Sequence, residues 1–160
     1  MNKIVTWEAL KKQVERVRGE GKKIAFTNGC FDILHVGHVR YLREARKMGD
    51  LLILGLNSDA SVRAIKGEKR PLVPQGDRAE VVASLASVDY VTLFDEMTPL
   101  KLIEYLRPDV LVKGGDWKEE LVVGGDAVRS WGGRIVIVPL TEGASTTSIV
   151  EKVLRVYGKG

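Results

Sequence analysis

Thr27-Asn28-Gly29-Cys30-Phe31-Asp32-Ile33-Leu34-His35-Val36-Gly37-His38 is the stretch on which the reading of this chain turns. It follows Ile24-Ala25-Phe26, an apolar run that reads as a buried strand, and it leads into Val39-Arg40-Tyr41-Leu42-Arg43-Glu44-Ala45, whose apolar spacing is helical. The segment is therefore a strand, a turn and the start of a helix. It holds both of the chain's histidines, three residues apart, a spacing that puts the two imidazoles on one helix face. A helix N-terminus offers free N–H groups and partial positive charge to a phosphate, and Gly37 removes a side chain where the phosphate would approach. A merely packed histidine explains a pair flanked by Asp32 and Gly37 poorly. A zinc site would need three or four ligands, and no Cys-x-x-Cys or further histidine supplies them. A helix start would lower the pKa of Cys30, but a small cysteine beside a strand reads as structural.

Outward from this stretch, Trp7, Leu10, Val14 and Val17 predict an amphipathic helix over 7–18, capped by Thr6 and ended by Gly19 and Gly21. Strands are expected at 23–26, 51–56, 90–94, 110–112 and 135–138. Leu51-Leu52-Ile53-Leu54-Gly55-Leu56 is apolar throughout, as in a strand covered on both faces. Helices are expected from the first motif to Lys47, from Ser58-Asp59 through Ile65, over 77–85, from Thr98 with Pro99 at the first position, within the glycines at 124, 125, 132 and 133, and over 146–156. Strands alternating with helices predict an α/β fold: a Rossmann-like three-layer α/β/α sandwich on a five-stranded parallel sheet. One domain over 1–160 is expected, divided into an N-terminal helix at 1–21 and a core at 22–157. Ligands of such folds lie beyond the carboxyl ends of the strands, and the Gly-rich and polar segments at 27–38, 57–61, 113–117 and 139–147 all follow strands.

The composition bounds the function. A chain of 160 residues, 44% apolar and 29% charged, is an ordinary globular domain. Its net charge of +4 is interspersed and carries no aromatic-basic pattern, so no nucleic-acid partner is expected, while an anionic substrate suits it. A single cysteine fits a reducing compartment. With no apolar leader and no long apolar run, no membrane partner is expected and the location reads as cytoplasmic. The first strand is followed by no Gly-x-Gly-x-x-Gly, which disfavours a dinucleotide dehydrogenase, and no P-loop sequence exists.

Other segments supply further chemistry. Lys66-Gly67-Glu68-Lys69-Arg70-Pro71 is either a solvated loop or, with Lys66, a clamp for a triphosphate tail. Arg78 is either an exposed helix charge or a fork for an acceptor phosphate. Gly143-Ala144-Ser145-Thr146-Thr147-Ser148 caps a helix and suits a second set of phosphate oxygens. Lys113-Gly114-Gly115-Asp116 is a turn, or a place for base and ribose with Asp116 accepting the ribose hydroxyls. Asp32 is a turn carboxylate or a partner for Mg²⁺.

His35-x-Gly37-His38 resembles the signature of the nucleotidyltransferase (cytidylyltransferase-like) superfamily. The wider text most resembles the D-glycero-β-D-manno-heptose 1-phosphate adenylyltransferase domain of ADP-heptose synthesis enzymes. The likeness rests on Thr27 to Asp32, the histidine signature, Asn57-Ser58-Asp59, Lys66-Gly67 with Arg70-Pro71, Arg78, Leu111 to Asp116, and Ser145-Thr146-Thr147. It implies catalytic roles for His35, His38, Lys66 and Thr146. It implies nucleotide binding by Asn28, Gly29, Cys30, Phe31, Gly37, Lys113, Gly115, Asp116, Ser145 and Thr147, and substrate binding by Asp32, Asn57, Arg70 and Arg78. Cytidylyltransferases usually carry an arginine before their Thr-Glu-Gly segment; here Leu140 precedes Thr141-Glu142-Gly143, in keeping with ATP. The implied reaction is AMP transfer from ATP to the heptose 1-phosphate, with Mg²⁺ bridging the leaving pyrophosphate, in lipopolysaccharide or other glycan synthesis. A homodimer is expected, with the heptose 7-phosphate kinase and phosphatase as separate proteins. The rivals are a CTP-dependent enzyme acting on glycerol 3-phosphate and a non-catalytic nucleotide-binding module; a tRNA synthetase is excluded by length.

Overall fold

The computed structural model describes residues 2–158, so Met1 and the last two positions of the expected 1–160 domain lie outside the described residues. Five strands form one parallel sheet: β1 (Ile24–Gly29), β2 (Leu51–Asn57), β3 (Tyr90–Phe94), β4 (Val110–Gly114) and β5 (Arg134–Val138), in the order β3-β2-β1-β4-β5. The helices are α1 (Trp7–Gly19), α2 (Val36–Arg46), α3 (Asp59–Lys66), α4 (Gln75–Ala83), α5 (Leu100–Leu106), α6 (Gly125–Ser130) and α7 (Thr146–Tyr157).

Side-chain alternation along the strands builds two cores. Ile24 and Phe26 of β1 face Leu10, Val14 and Val17 of α1 together with buried residues of α5 and α6. Ala25, Leu52, Leu54 and Val112 face the opposite way, onto Tyr41, Leu42 and Ala45 of α2 and Ala79 and Val82 of α4. These are the three layers expected. The division at 21/22 is not a structural boundary, because α1 packs into the same core as β1 and β4. Residues before α1 also join the sheet edge, where Ile4 bridges Val91.

Local differences have plain causes. β1 runs to Gly29, so Thr27-Asn28-Gly29 is strand rather than turn. α4 starts at Gln75, two residues before the expected 77, behind Pro74. Pro99 occupies the N-cap of α5 and not its first helical position. A single 3₁₀ turn at Glu119–Leu121, which the apolar pattern does not announce, precedes α6.

The strand order reverses between β1 and β4. Successive connections leave to opposite sides there, opening a crevice beyond their carboxyl ends.

Candidate active site

The turn after β1 is held in an unusual shape. Phe31 has a φ of 46°, in the left-handed region that few non-glycine residues adopt, and a Cβ on Gly29 would lie 2.7 Å from its ring. The Phe31 ring then leans on His38 with centroids 5.0 Å apart. His35 is the N-cap of α2. The Gly37 N–H donates to His35 Nδ1 (3.1 Å) and the His35 N–H donates to His38 Nδ1 (3.3 Å). Both Nδ1 atoms are therefore acceptors, and a neutral ring so held carries its proton on Nε2. Burial pushes both imidazoles below the ordinary histidine range, His38 to about 4, with the charges of His35 and Lys66 adding to the effect. At neutral pH the pair presents two Nε2–H donors to the crevice.

The crevice, about 340 Å³, falls within the size range of small-molecule sites. Its walls bring together most of the residues singled out from the sequence: Asn28, Gly29, Cys30, Phe31, His35, Gly37, His38, Lys66, Arg70, Lys113, Ser145, Thr146 and Thr147. Ser145 caps α7 by accepting from the Ser148 N–H. The Thr146 hydroxyl donates to the Ile33 carbonyl (3.2 Å), tying the start of α7 to the turn before α2. Two helix N-termini and the cations Lys66, Arg70 and Lys113 thus border one space, which suits a polyanion. Burial lowers the pKa of Lys113, whose Nζ sits 5.5 Å from the Trp117 ring centroid. Burial raises that of Cys30, in keeping with a structural thiol rather than a nucleophile.

Several expected residues lie elsewhere. The Arg78 side chain is 0% exposed, and its guanidinium donates to the carbonyls of Val73, Cys30 and Asn57 and to Asp59 Oδ1. With four of its five N–H donors spent and the side chain buried, it has no fork to offer an acceptor phosphate, and its work is to brace the turn carrying Cys30. Asp32 accepts from Arg70 Nη1 (2.7 Å) and from the N–H groups of Leu72 and Val73. Burial alone would raise its pKa; these donors outweigh burial and hold it below the usual carboxylate range. Both oxygens are engaged, so Asp32 fixes the 70–73 loop instead of presenting a metal ligand. Asn57 is buried, with its amide donating to Ser61 Oγ. Gly115 and the exposed Asp116 stand outside the crevice wall.

Tyr41, Gly114, Leu140, Thr141 and Ala144 also line the crevice, and of these only Tyr41 lies outside the polar and Gly-rich segments flagged from the sequence. Tyr41 was discoverable, since it follows His38 by three positions and so shares its helix face.

A family model described as cytidylyltransferase-like matches residues 26–152. Bifunctional protein HldE of Geobacter metallireducens is 57% identical over 157 residues, covering 98% of this chain and 32% of that protein. Its counterpart from Syntrophotalea carbinolica is 55% identical over 159 residues, covering 99% and 32%. The chain spans about a third of the length of these curated relatives. Among solved structures, the lipopolysaccharide core biosynthesis protein from Thermoplasma volcanium is 29% identical with a TM-score of 0.63, covering 78% of this chain and 100% of that one. Pantothenate synthetase from Thermus thermophilus, 16% identical with a TM-score of 0.61 over 96% of this chain and 72% of its own, shares the fold.

Proposed function

Because this chain belongs to the cytidylyltransferase-like family, we propose that it is an adenylyltransferase moving AMP from ATP to D-glycero-β-D-manno-heptose 1-phosphate. The products would be ADP-heptose and pyrophosphate. The observation that carries the reading is the pair of Nε2–H donors that His35 and His38 hold at the mouth of the crevice, with cations and a second helix start around them.

In this reading an oxygen of the sugar 1-phosphate attacks the α-phosphorus, a P–O bond forms, and the bond to the β-phosphate oxygen breaks with its electron pair leaving on pyrophosphate. A phosphate monoester is mostly a dianion at neutral pH, since its second pKa is about 6. No proton has to be removed and no general base is required. The protein's task is alignment and stabilisation of charge in the five-coordinate transition state. His35 and His38 donate to α-phosphate oxygens, Lys66 and the start of α7 take the leaving pyrophosphate, and Arg70 and Lys113 add positive charge. Mg²⁺ enters as part of the substrate, MgATP. Among the described residues no three His, Cys, Asp or Glu side chains group to hold an ion, so the ion's ligands would be phosphate oxygens and water.

The heptose acceptor is supported by the identity to the HldE proteins and by the likeness to a lipopolysaccharide core biosynthesis protein. A homodimer and a cytoplasmic location belong to the same reading, as do kinase and phosphatase activities that supply the acceptor. Among the described residues no helix is long and apolar enough to cross a membrane. The decisive experiment incubates the protein with MgATP or MgCTP and a panel of acceptors that includes heptose 1-phosphates and glycerol 3-phosphate, then identifies the nucleotide product by mass. ADP-heptose is expected; a CDP product, or none, overturns the reading. Light scattering on the eluting protein tests the dimer.

A further inference from the structure

β1 and β4 pair at only two positions, Ala25↔Val110 and Phe26↔Leu111. On its other side β1 stays paired with β2 as far as Gly29↔Leu56. Beyond Phe26 and Leu111, therefore, β1 and β4 part, and the crevice opens in the gap between Asn28-Gly29 and Lys113-Gly114. One side chain spans that gap. The Tyr41 hydroxyl donates to the Val112 carbonyl of β4 (3.1 Å) and, with its own hydrogen spent there, accepts from Thr27 Oγ1 of β1. Thr27 and Tyr41 are both buried, and the Tyr41 ring lies so close to Gly114 that a Cβ there would meet it at 3.1 Å. Tyr41 stands one helical turn after His38 on α2.

We propose that Tyr41 is the positioning residue of this site: its phenol staples β1 to β4 where they separate and, through α2, fixes the distance between His38 and the Lys113-Gly114 wall. The inference deepens the adenylyl-transfer reading and rests on it for its effect on turnover. The geometry explains why a tyrosine is needed. A phenylalanine fills the same volume but leaves the Thr27 hydroxyl and the Val112 carbonyl without their shared partner, and the two crevice walls lose their one polar tie through this ring. Misplacement of reacting groups by about 1 Å costs up to 10²-fold in rate, so a loosened staple acts on turnover more than on nucleotide binding.

The test uses Tyr41→Phe beside Val14→Ala, a cavity in the core on the opposite side of the sheet that lowers stability without approaching the crevice. Two quantities are read at a temperature where all proteins are folded. The first needs no substrate. The chain has only two histidines, so their imidazole NMR signals, assigned with His35→Gln and His38→Gln, report where the start of α2 sits. The second is kcat set against the ATP dissociation constant. For Tyr41→Phe the His38 signal is expected to move and kcat to fall about tenfold, with ATP affinity within about twofold of wild type. Val14→Ala should change neither. Imidazole signals unmoved in Tyr41→Phe, or losses that Val14→Ala reproduces at equal stability, overturn the inference. If the signals move but even the wild type forms no nucleotide sugar, the adenylyl-transfer reading fails while the staple stands.

Discussion

His35 and His38 stack with ring centroids 3.8 Å apart and planes 25° from parallel, each pinned through Nδ1 by a backbone N–H of the turn they belong to. The same two rings cap the helix and face the crevice, so structural and chemical roles must be separated by choice of substitution. Asparagine is among the best N-caps, but its amide is too short to reach where the imidazole Nε2 reaches. His35→Asn is therefore expected to keep the thermal midpoint near wild type while kcat falls by roughly 10²-fold, the usual loss of one donor to a transition-state oxyanion. His38→Ala should lose on the order of 10²–10³-fold. Turnover near wild type in either variant, measured as pyrophosphate release, removes that ring from the phosphate.

The depressed titration of His38 makes a second prediction. In the unfolded chain its pKa is the ordinary 6.5, whereas the folded site holds it at about 4. Between these values the unfolded state binds more protons, so stability rises with pH across that window. Its contribution is complete above 6.5 and is lost as pH falls towards 4. The groups facing it are His35, itself lowered by burial, and Lys66, both of which oppose its protonation. Proton NMR of the ligand-free protein should show one imidazole still neutral at pH 5. Two imidazoles titrating together near 6.5 would contradict the buried, reciprocally capped arrangement.

Much of the fold was legible because the sequence states it locally. The apolar block at 51–56 could only be a strand covered on both faces, and Tyr90–Phe94 has the bounds its β-branched and aromatic run suggests. What local pattern cannot state is where a polar group spends its hydrogen bonds. Asp32 meets its partners about forty residues further along, at Arg70, Leu72 and Val73, and Arg78 meets carbonyls of three separate segments. Both residues read as site chemistry by type, and both proved to be consumed by tertiary contacts. Tyr41 was missed for the converse reason. A tyrosine at helical spacing reads as core, and only the parting of β1 from β4 gives its hydroxyl a task.

Arg78 separates bracing from substrate binding sharply. A buried guanidinium making four bonds cannot be replaced by an ammonium of different shape. Arg78→Lys should cost about 3 kcal/mol, as for a broken buried ion pair, and lower the thermal midpoint by roughly 10 °C in a domain of this size. An acceptor-binding arginine would behave the other way, with a raised KM for the sugar phosphate and an unchanged midpoint. Calorimetry and steady-state kinetics on the same preparation distinguish the two.

Asp32 can be tested by the same opposition, with the metal as the variable. Its carboxylate receives three donors, two from backbone and one from Arg70. In Asp32→Asn one oxygen becomes an amide NH₂, which turns donors against donors in a buried place. The 70–73 loop should loosen and stability fall by about 3 kcal/mol. If Mg²⁺ arrives on ATP, the Mg²⁺ concentration giving half-maximal turnover at fixed ATP should stay within about twofold of wild type, because the ion's ligands are phosphate and water. A carboxylate that coordinated the ion would give the reverse pattern: a Mg²⁺ requirement shifted upward at least tenfold, since metal affinity falls 10–100-fold even when only a supporting partner of a ligand is lost. Folding would then be spared, because an exposed ligand holds nothing together in the metal-free protein.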